Sequence, residues 1–128
     1  MNAKRQTQTM NQRGKNIEER AYVFALTVVK TSRSFPKNSE GFTVATQIIR
    51  SATSIPANLI EGSAAVSKKE FINFLAIAKK SAIETKFWLR FSSDLNLISR
   101  NDFEMLADEC EQIIKIISAI ILKTNSRR

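Results

Sequence analysis

Residues 99–122 read SRNDFEMLADECEQIIKIISAIIL. Within them Phe103, Leu106, Cys110, Ile113, Ile117 and Ile120 recur at alternating steps of three and four, the period that puts side chains on one face of a helix. Ser99 stands at the head of the stretch, and Asp102 and Glu104 fall where the positive end of a helix dipole would sit. A narrow seam sustained this long fits packing against other helices. Ile114, Ile116, Ile121 and Leu122 lie beside or off that seam, so the helix carries more apolar surface than one buried stripe needs.

The same reading extends upstream. Ser67-Lys68-Lys69-Glu70 forms a capping box, in which the serine oxygen accepts from the amide three residues on and the glutamate reaches back. It opens a helix running to about Asn96, with Phe71, Leu75, Ala78, Ala82 and Leu89 on one face and a second apolar line of Phe74, Ile77, Trp88, Phe91 and Leu95. Before it, Ala45, Ile48, Ala52, Ile55 and Leu59 make another seam, in a helix expected to start near Thr43 as N-cap. Pro56 lies inside that seam. The apolar stepping continues in phase across it, which predicts a kink rather than a stop and restart. Glu61 to Val66 is read as the next connection. The first helix starts near Ile17, repeats at Ala21, Phe24/Ala25 and Val28, and ends before Pro36; Phe35 to Gly41 reads as a loop. The expected fold is all-α, an antiparallel up-down four-helix bundle over residues 16–124, with a flexible basic arm over 1–15 and a basic tail over 125–128. Excess apolar surface on the last two helices, at Phe74, Ile77, Trp88, Phe91, Ile116 and Ile121, predicts a homo-oligomer interface. The alternative is that wide helices simply pack on two neighbours each.

Composition narrows the chemistry. The 128 residues contain no histidine, three glycines, two prolines and one cysteine, Cys110. Without histidine there is no imidazole base, no His-dependent triad and no mixed His/Cys zinc site, so the chain reads as non-enzymatic, with no metal and no cofactor. A lone cysteine fits a reducing compartment. The N-terminus lacks an apolar signal region, and the longest apolar run, Ile113 to Leu122, is too short to cross a membrane. A cytoplasmic protein with no membrane partner is expected.

The net charge is +8. Setting aside the six basic residues at the two ends leaves 14 basic and 12 acidic residues, unevenly spread: residues 30–90 carry +6 and residues 91–126 carry −3. A polyanion-binding face would produce this asymmetry, as would a solvated surface. Candidate nucleic-acid contacts are Arg50, Lys68, Lys69, Lys79, Lys80, Lys86 and Arg90, with Lys79, Lys86 and Arg90 close enough in helical angle to form one ridge. Phe87, Trp88 and Phe91 could stack on bases, or serve as core or subunit interface. Along the second helix Gln47, Arg50, Ser54, Asn58 and Glu61 share a face. They form either a binding stripe or a hydrogen-bond network setting helix register, with Arg50 paired to Glu61 or Glu84.

One region resembles a known family. Thr43-Val44-Ala45-Thr46-Gln47, the basic Arg50, then Ser54-Ile55-Pro56-Ala57-Asn58-Leu59-Ile60-Glu61-Gly62 is similar to the signature of bacterial four-helix-bundle proteins encoded in intervening sequences of large-subunit ribosomal RNA genes. Related proteins are accessory subunits of diversity-generating retroelements. Lys69-Glu70-Phe71-Ile72 with Phe74-Leu75 and Ile77-Ala78, and then Glu84-Thr85-Lys86-Phe87-Trp88-Leu89-Arg90, resemble the next family blocks, so the likeness spans residues 17–123. The resemblance implies a homopentamer with basic surfaces and, from the retroelement relatives, nucleic acid and a reverse transcriptase as partners. Gln47, Ser54, Pro56, Asn58, Glu61 and Gly62 then form its structural motif. The resulting expectation is an oligomeric adaptor that binds RNA or DNA non-specifically, or else a protein–protein module without nucleic-acid contact.

Overall fold

The computed structural model describes residues 13–127 and comprises four helices, α1 (Arg13–Ser32), α2 (Ser39–Ser63), α3 (Lys68–Asp94) and α4 (Arg100–Asn125), with no strand among the described residues. Of the arm expected over residues 1–15, residues 1–12 lie outside the described residues and the last three belong to α1. At the other end α4 takes in Asn125, the first residue of the expected tail, and residue 128 lies outside. Each helix packs on its two neighbours in chain order, α4 closes back on α1, and the diagonal pairs make no backbone approach. Cross-helix partners run in opposite senses, Arg50 with Glu84 and Ser54 with Ser81, as an up-down bundle requires.

The seams read from periodicity form the core. Ile17, Ala21, Phe24, Ala25 and Val28 of α1, Ile48, Ala52, Ile55 and Leu59 of α2, Leu75, Ala78, Ala82 and Leu89 of α3, and Leu106, Cys110, Ile113 and Ile117 of α4 are all buried in one cluster. Alanines sit among the large residues at the centre, so the helices approach closely while Ile and Leu fill the gaps. Each large apolar side chain removed from water contributes about 1.5–3 kcal/mol. Ala45 and Phe71, placed on the same seams, are half-buried at the edge.

Two of the expected caps are present. Ser67 Oγ accepts from the Glu70 amide at 3.1 Å, and Ser99 Oγ accepts from that of Asp102 at 3.1 Å. The Glu70 carboxylate reaches back one residue further than the capping box would have it, to the Val66 amide at 3.0 Å. The start of α2 departs from expectation. It begins at Ser39, not Thr43, because Asn38 caps it, its Oδ1 accepting from Gly41 N at 2.8 Å. The segment read as loop is therefore partly helix, and Phe35 within it is buried with Val44 and Leu97 in a second small cluster that closes this end of the bundle. Likewise α2 continues through Glu61 and Gly62 to Ser63, shortening the second connection. α3 ends at Asp94 with Asn96 in the left-handed region (φ 59°); Leu97 N bonds Ser92 O and Asn96 N bonds Ser93 O, the Schellman pattern with asparagine in the usual glycine position.

α2 runs unbroken through the buried Pro56, so the stop-and-restart alternative does not hold. Asn58 Nδ2 donates to the Ser54 carbonyl at 2.8 Å and its hydroxyl at 3.0 Å, tying down the turn that contains the proline. Gly41 is required by a close approach: a Cβ there would lie 1.9 Å from the Pro36 carbonyl oxygen. Gly41→Ala is therefore expected to lower stability by about 1–3 kcal/mol in urea denaturation, with Ser39→Ala, two residues away and exposed, as the near-neutral control.

Candidate nucleic-acid interface

The polar stripe of α2 faces α3. Arg50 bonds Gln47 within its own helix and pairs with Glu84, the second of the two carboxylates expected for it; Glu84 also accepts from Trp88 Nε1 at 3.2 Å. One turn on, the Ser54 and Ser81 hydroxyls meet at 2.9 Å, and beneath them the fully buried Ser51 and Thr85 meet at 2.9 Å. Asn58 extends the line through Ser54, while Glu61 is exposed at its end. Gly62 is buried against α3, a Cβ there meeting Leu75 Cδ1 at 3.1 Å and Phe74 Cβ at 3.2 Å. This line is the register network of the two readings. Ser51 and Thr85, its buried centre, were not singled out in the sequence; the Thr at a core-facing step of α3 was the available signal.

The seven candidate cations do not converge. Arg50 lies on the α2–α3 side with its charge engaged. Lys86 Nζ reaches Glu111 of α4 at 2.7 Å, which holds the ammonium above and the carboxyl below their ordinary pKa values through the shared hydrogen bond. Arg90 approaches Asp94 at 3.8 Å on its own helix. The Lys79–Lys86–Arg90 ridge is thus contiguous in angle and largely neutralised in charge. Lys68, Lys69, Lys79 and Lys80 remain, none in an ion pair among the described residues; Lys68 Nζ donates to the Arg127 carbonyl.

That contact, together with Lys86–Glu111 and the Cys110 thiol donating to Ala82 O at 3.2 Å, lays the first half of α3 against the last half of α4. A division of charge results. Residues 68–82 and 113–127 contain seven cations, Lys68, Lys69, Lys79, Lys80, Lys115, Lys123 and Arg127, and one acid, Glu70. The complementary halves, 83–94 and 100–112, contain seven acids and three cations, and each of those three is paired: Lys86 with Glu111, Arg90 with Asp94, Arg100 with Glu104. Lys115, Lys123 and Arg127 were not among the candidates, because only the antiparallel packing brings them beside α3.

The six interface candidates divide as well. Trp88, Ile116 and Ile121 are half-buried against the chain's own core, and Phe74 is half-buried. Ile77 and Phe91 are 46% and 40% exposed, and Phe87 stacks on Phe91 with ring centroids 5.8 Å apart. Further exposed apolar residues, Tyr22, Val23 and Leu26 on α1 and Phe42 and Ile60 on α2, lie outside the surface anticipated.

Of the acidic run in α4, Glu109 takes both guanidinium contacts of Arg20, at 2.8 and 2.9 Å, and Glu111 takes Lys86. Among the described residues no cluster of three or more His, Cys, Asp or Glu is disposed to hold a metal ion. Burial pushes the Cys110 thiol up to about 12, so it is protonated and inert at neutral pH. No helix among the described residues is long and apolar enough to cross a membrane.

A small four-helix bundle with a proline carried inside its second helix and a polar register line between α2 and α3 defines the class. The chain matches the 23S rRNA-intervening sequence proteins over residues 15–119 and belongs to that family. It is similar, at 32% identity and a TM-score of 0.80, to the crystal structure of a protein with unknown function from the S23 ribosomal protein family of Bacteroides thetaiotaomicron VPI-5482, the match covering 86% of this chain and 98% of that one. No curated protein matches the chain.

The register line makes a quantitative expectation. Thr85→Val removes the cross-helix bond while the Ser51 hydroxyl keeps the Ile48 carbonyl at 3.3 Å, and should cost about 0.5–1.5 kcal/mol of unfolding free energy. Combined with Ser51→Ala the loss should be smaller than the sum of the two single losses, because both changes remove the same bond.

Proposed function

We propose that this protein is a non-enzymatic, oligomeric helix-bundle adaptor that binds nucleic acid non-specifically through its basic surface. The observation that carries the reading is the separation of charge on α3 and α4: seven cations in no ion pair among the described residues gathered in one half, against an acidic half whose three cations are each paired. A surface evolved only for solubility gains nothing from leaving its free cations on one side, whereas phosphate binding by released counterions needs them together. The basic residues near both chain ends, Lys4, Arg5 and Arg128 among them, add to the attraction. Several subunits would repeat the basic surface, so weak single contacts combine.

Binding of the whole chain to RNA and to DNA, followed by fluorescence anisotropy, should weaken linearly in log–log form as salt rises. With about four phosphates neutralised the slope is about −3 to −4. Affinity independent of salt, or none at low salt, refutes the reading.

A second reading, a protein–protein module such as an accessory subunit of a reverse transcriptase, is favoured by the exposed Ile77, Phe87 and Phe91. It predicts tight association with one protein and no affinity for nucleic acid at modest salt. Self-association, in a pentamer as the resemblance implies, rests on the same exposed apolar residues. Light scattering at micromolar concentration should give a multiple of the 14.5 kDa chain mass, and Phe87→Ser with Phe91→Ser should shift it towards the monomer.

A further inference from the structure

We propose that the groove between α1 and α2 receives the outer ridge of α3 from a second copy of the chain, the two copies lying side by side and pointing the same way. The inference rests on the self-association reading above and names the two surfaces that meet. The groove is the first. Between Gly41 and Ile60 the only charged residue of α2 is Arg50, which turns to Glu84 on the α3 side. Phe42, Ile49, Thr53 and Ile60 fall within an arc of about 40° at 3.6 residues per turn. That arc is turned away from Ser51 and Ser54, which face α3. On α1, Tyr22, Leu26 and Val29 fall within about 60°. They lie nearer Glu18, which reaches Ser63 of α2, than Arg20, which reaches Glu109 of α4. Phe42, Ile60, Tyr22 and Leu26 are 57%, 51%, 50% and 41% exposed, with Ile49 and Val29 half-buried between them.

The second surface is the ridge of Ile77, Phe87 and Phe91, on the side of α3 turned away from its buried Ala78, Ala82 and Leu89. The remaining exposed apolar residues are divided among Val23 and Met105 on the α1–α4 side, Ile83 and Leu122 on the α3–α4 side, and Val66 in the second connection. Groove and ridge lie on different sides of the bundle, so neither is its own mate. A contact between them is heterologous, repeats from copy to copy and closes into a ring when the rotation allows.

A second copy, rather than another partner, is indicated by height and charge. In a ring whose axis runs along the helices, each residue of a neighbour stands at the height of the same residue in this copy. The bonds of Arg50 to Glu84, Ser54 to Ser81 and Ser51 to Thr85 set the heights of α2 against α3. By that register Ile49 is level with Phe87, while Phe42 is level with Phe91 and Ile60 with Ile77 to within about one turn. The charges agree. Arg33, just past α1, stands at the end of the bundle where Asp94 closes α3. Glu19 follows Glu18, the partner of Ser63, and falls in height between Lys69 and Lys80 of the ridge side. Glu19, Arg33, Lys69 and Lys80 are in no ion pair among the described residues, and Asp94 meets only Arg90, at 3.8 Å. Lys68, Lys79, Lys115, Lys123 and Arg127 stay outside the contact.

The experiment is light scattering of the full chain and two variants, each verified as folded by circular dichroism melting. Wild type should give a multiple of the 14.5 kDa chain mass. Phe42→Ser with Ile60→Ser spoils the groove, Phe87→Ser with Phe91→Ser spoils the ridge, and each variant alone should fall to the monomer. Mixed in equal amounts they should give twice the chain mass and no more, because one keeps its ridge and the other its groove. A monomeric wild type overturns the self-association reading and this inference together. With wild type assembled, the inference alone is overturned if either folded variant still assembles as wild type does, or if the mixture of the two stays monomeric.

Discussion

The seam between α2 and α3 is the constraint on which the rest of the bundle depends. Apolar seams alone fix helix packing loosely, because Ile and Leu can slide by a turn and still bury similar area. Buried hydroxyls cannot. Ser51 and Thr85 meet with both side chains fully enclosed, and a slip of α3 along α2 would break that bond, at about 0.5–1.5 kcal/mol, leaving each hydroxyl only a carbonyl of its own helix, Ile48 O and Ser81 O. Ser54–Ser81 and Arg50–Glu84 repeat the contact towards the surface, and eleven residues further along α2 Gly62 admits Phe74 and Leu75 of α3. With α3 so placed, the Cys110 thiol finds the Ala82 carbonyl and Lys86 finds Glu111, which sets α4 in turn. The juxtaposition of the two basic half-helices is a downstream consequence of a hydroxyl pair on the other side of α3.

Much of this was legible before any coordinates, for identifiable reasons. The core seams could be read because a period of 3.6 maps directly onto one face, and every seam residue named for α4 from Leu106 to Ile117 is buried. The caps Ser67 and Ser99 could be read because they act within three residues. Asn38 was passed over since proline and glycine on either side of it suggest a turn, and the helix start there is held by a contact outside the local sequence: Phe35 tucked against Val44 and Leu97. The polar stripe was visible as a shared face, but whether it bound a ligand or another helix depended on Ser81, Glu84 and Thr85, some thirty residues away.

The cationic ridge on α3 illustrates the same boundary from the other side. Helical angle correctly aligned Lys79, Lys86 and Arg90, yet angle says nothing of charge state in the assembled surface. Glu111 lies 25 residues beyond Lys86 in the chain and directly opposite it across the α3–α4 groove. The same packing that neutralises Lys86 adds Lys115, Lys123 and Arg127 to the free lysines at the start of α3. A property of one helix in the sequence becomes a property of two half-helices in the fold.

Net charge is a poor guide to how such a protein meets a polyanion, and the distribution is the better one. A chain of +8 with its charge evenly spread would be attracted in any orientation, its field screened within about 8 Å at physiological ionic strength. Here the α3–α4 surface is positive at one end and negative at the other. A polyanion approaching the acidic half would meet carboxylates such as Asp102 and Asp108 that are in no ion pair among the described residues; one approaching the basic half would meet seven cations in no such pair. On the reading proposed above, a polyanion would orient the bundle as well as attract it. Side-chain chemistry contributes little to such a mechanism. What matters is that four helices, locked in register by a few buried hydroxyls, carry their charges to the right end.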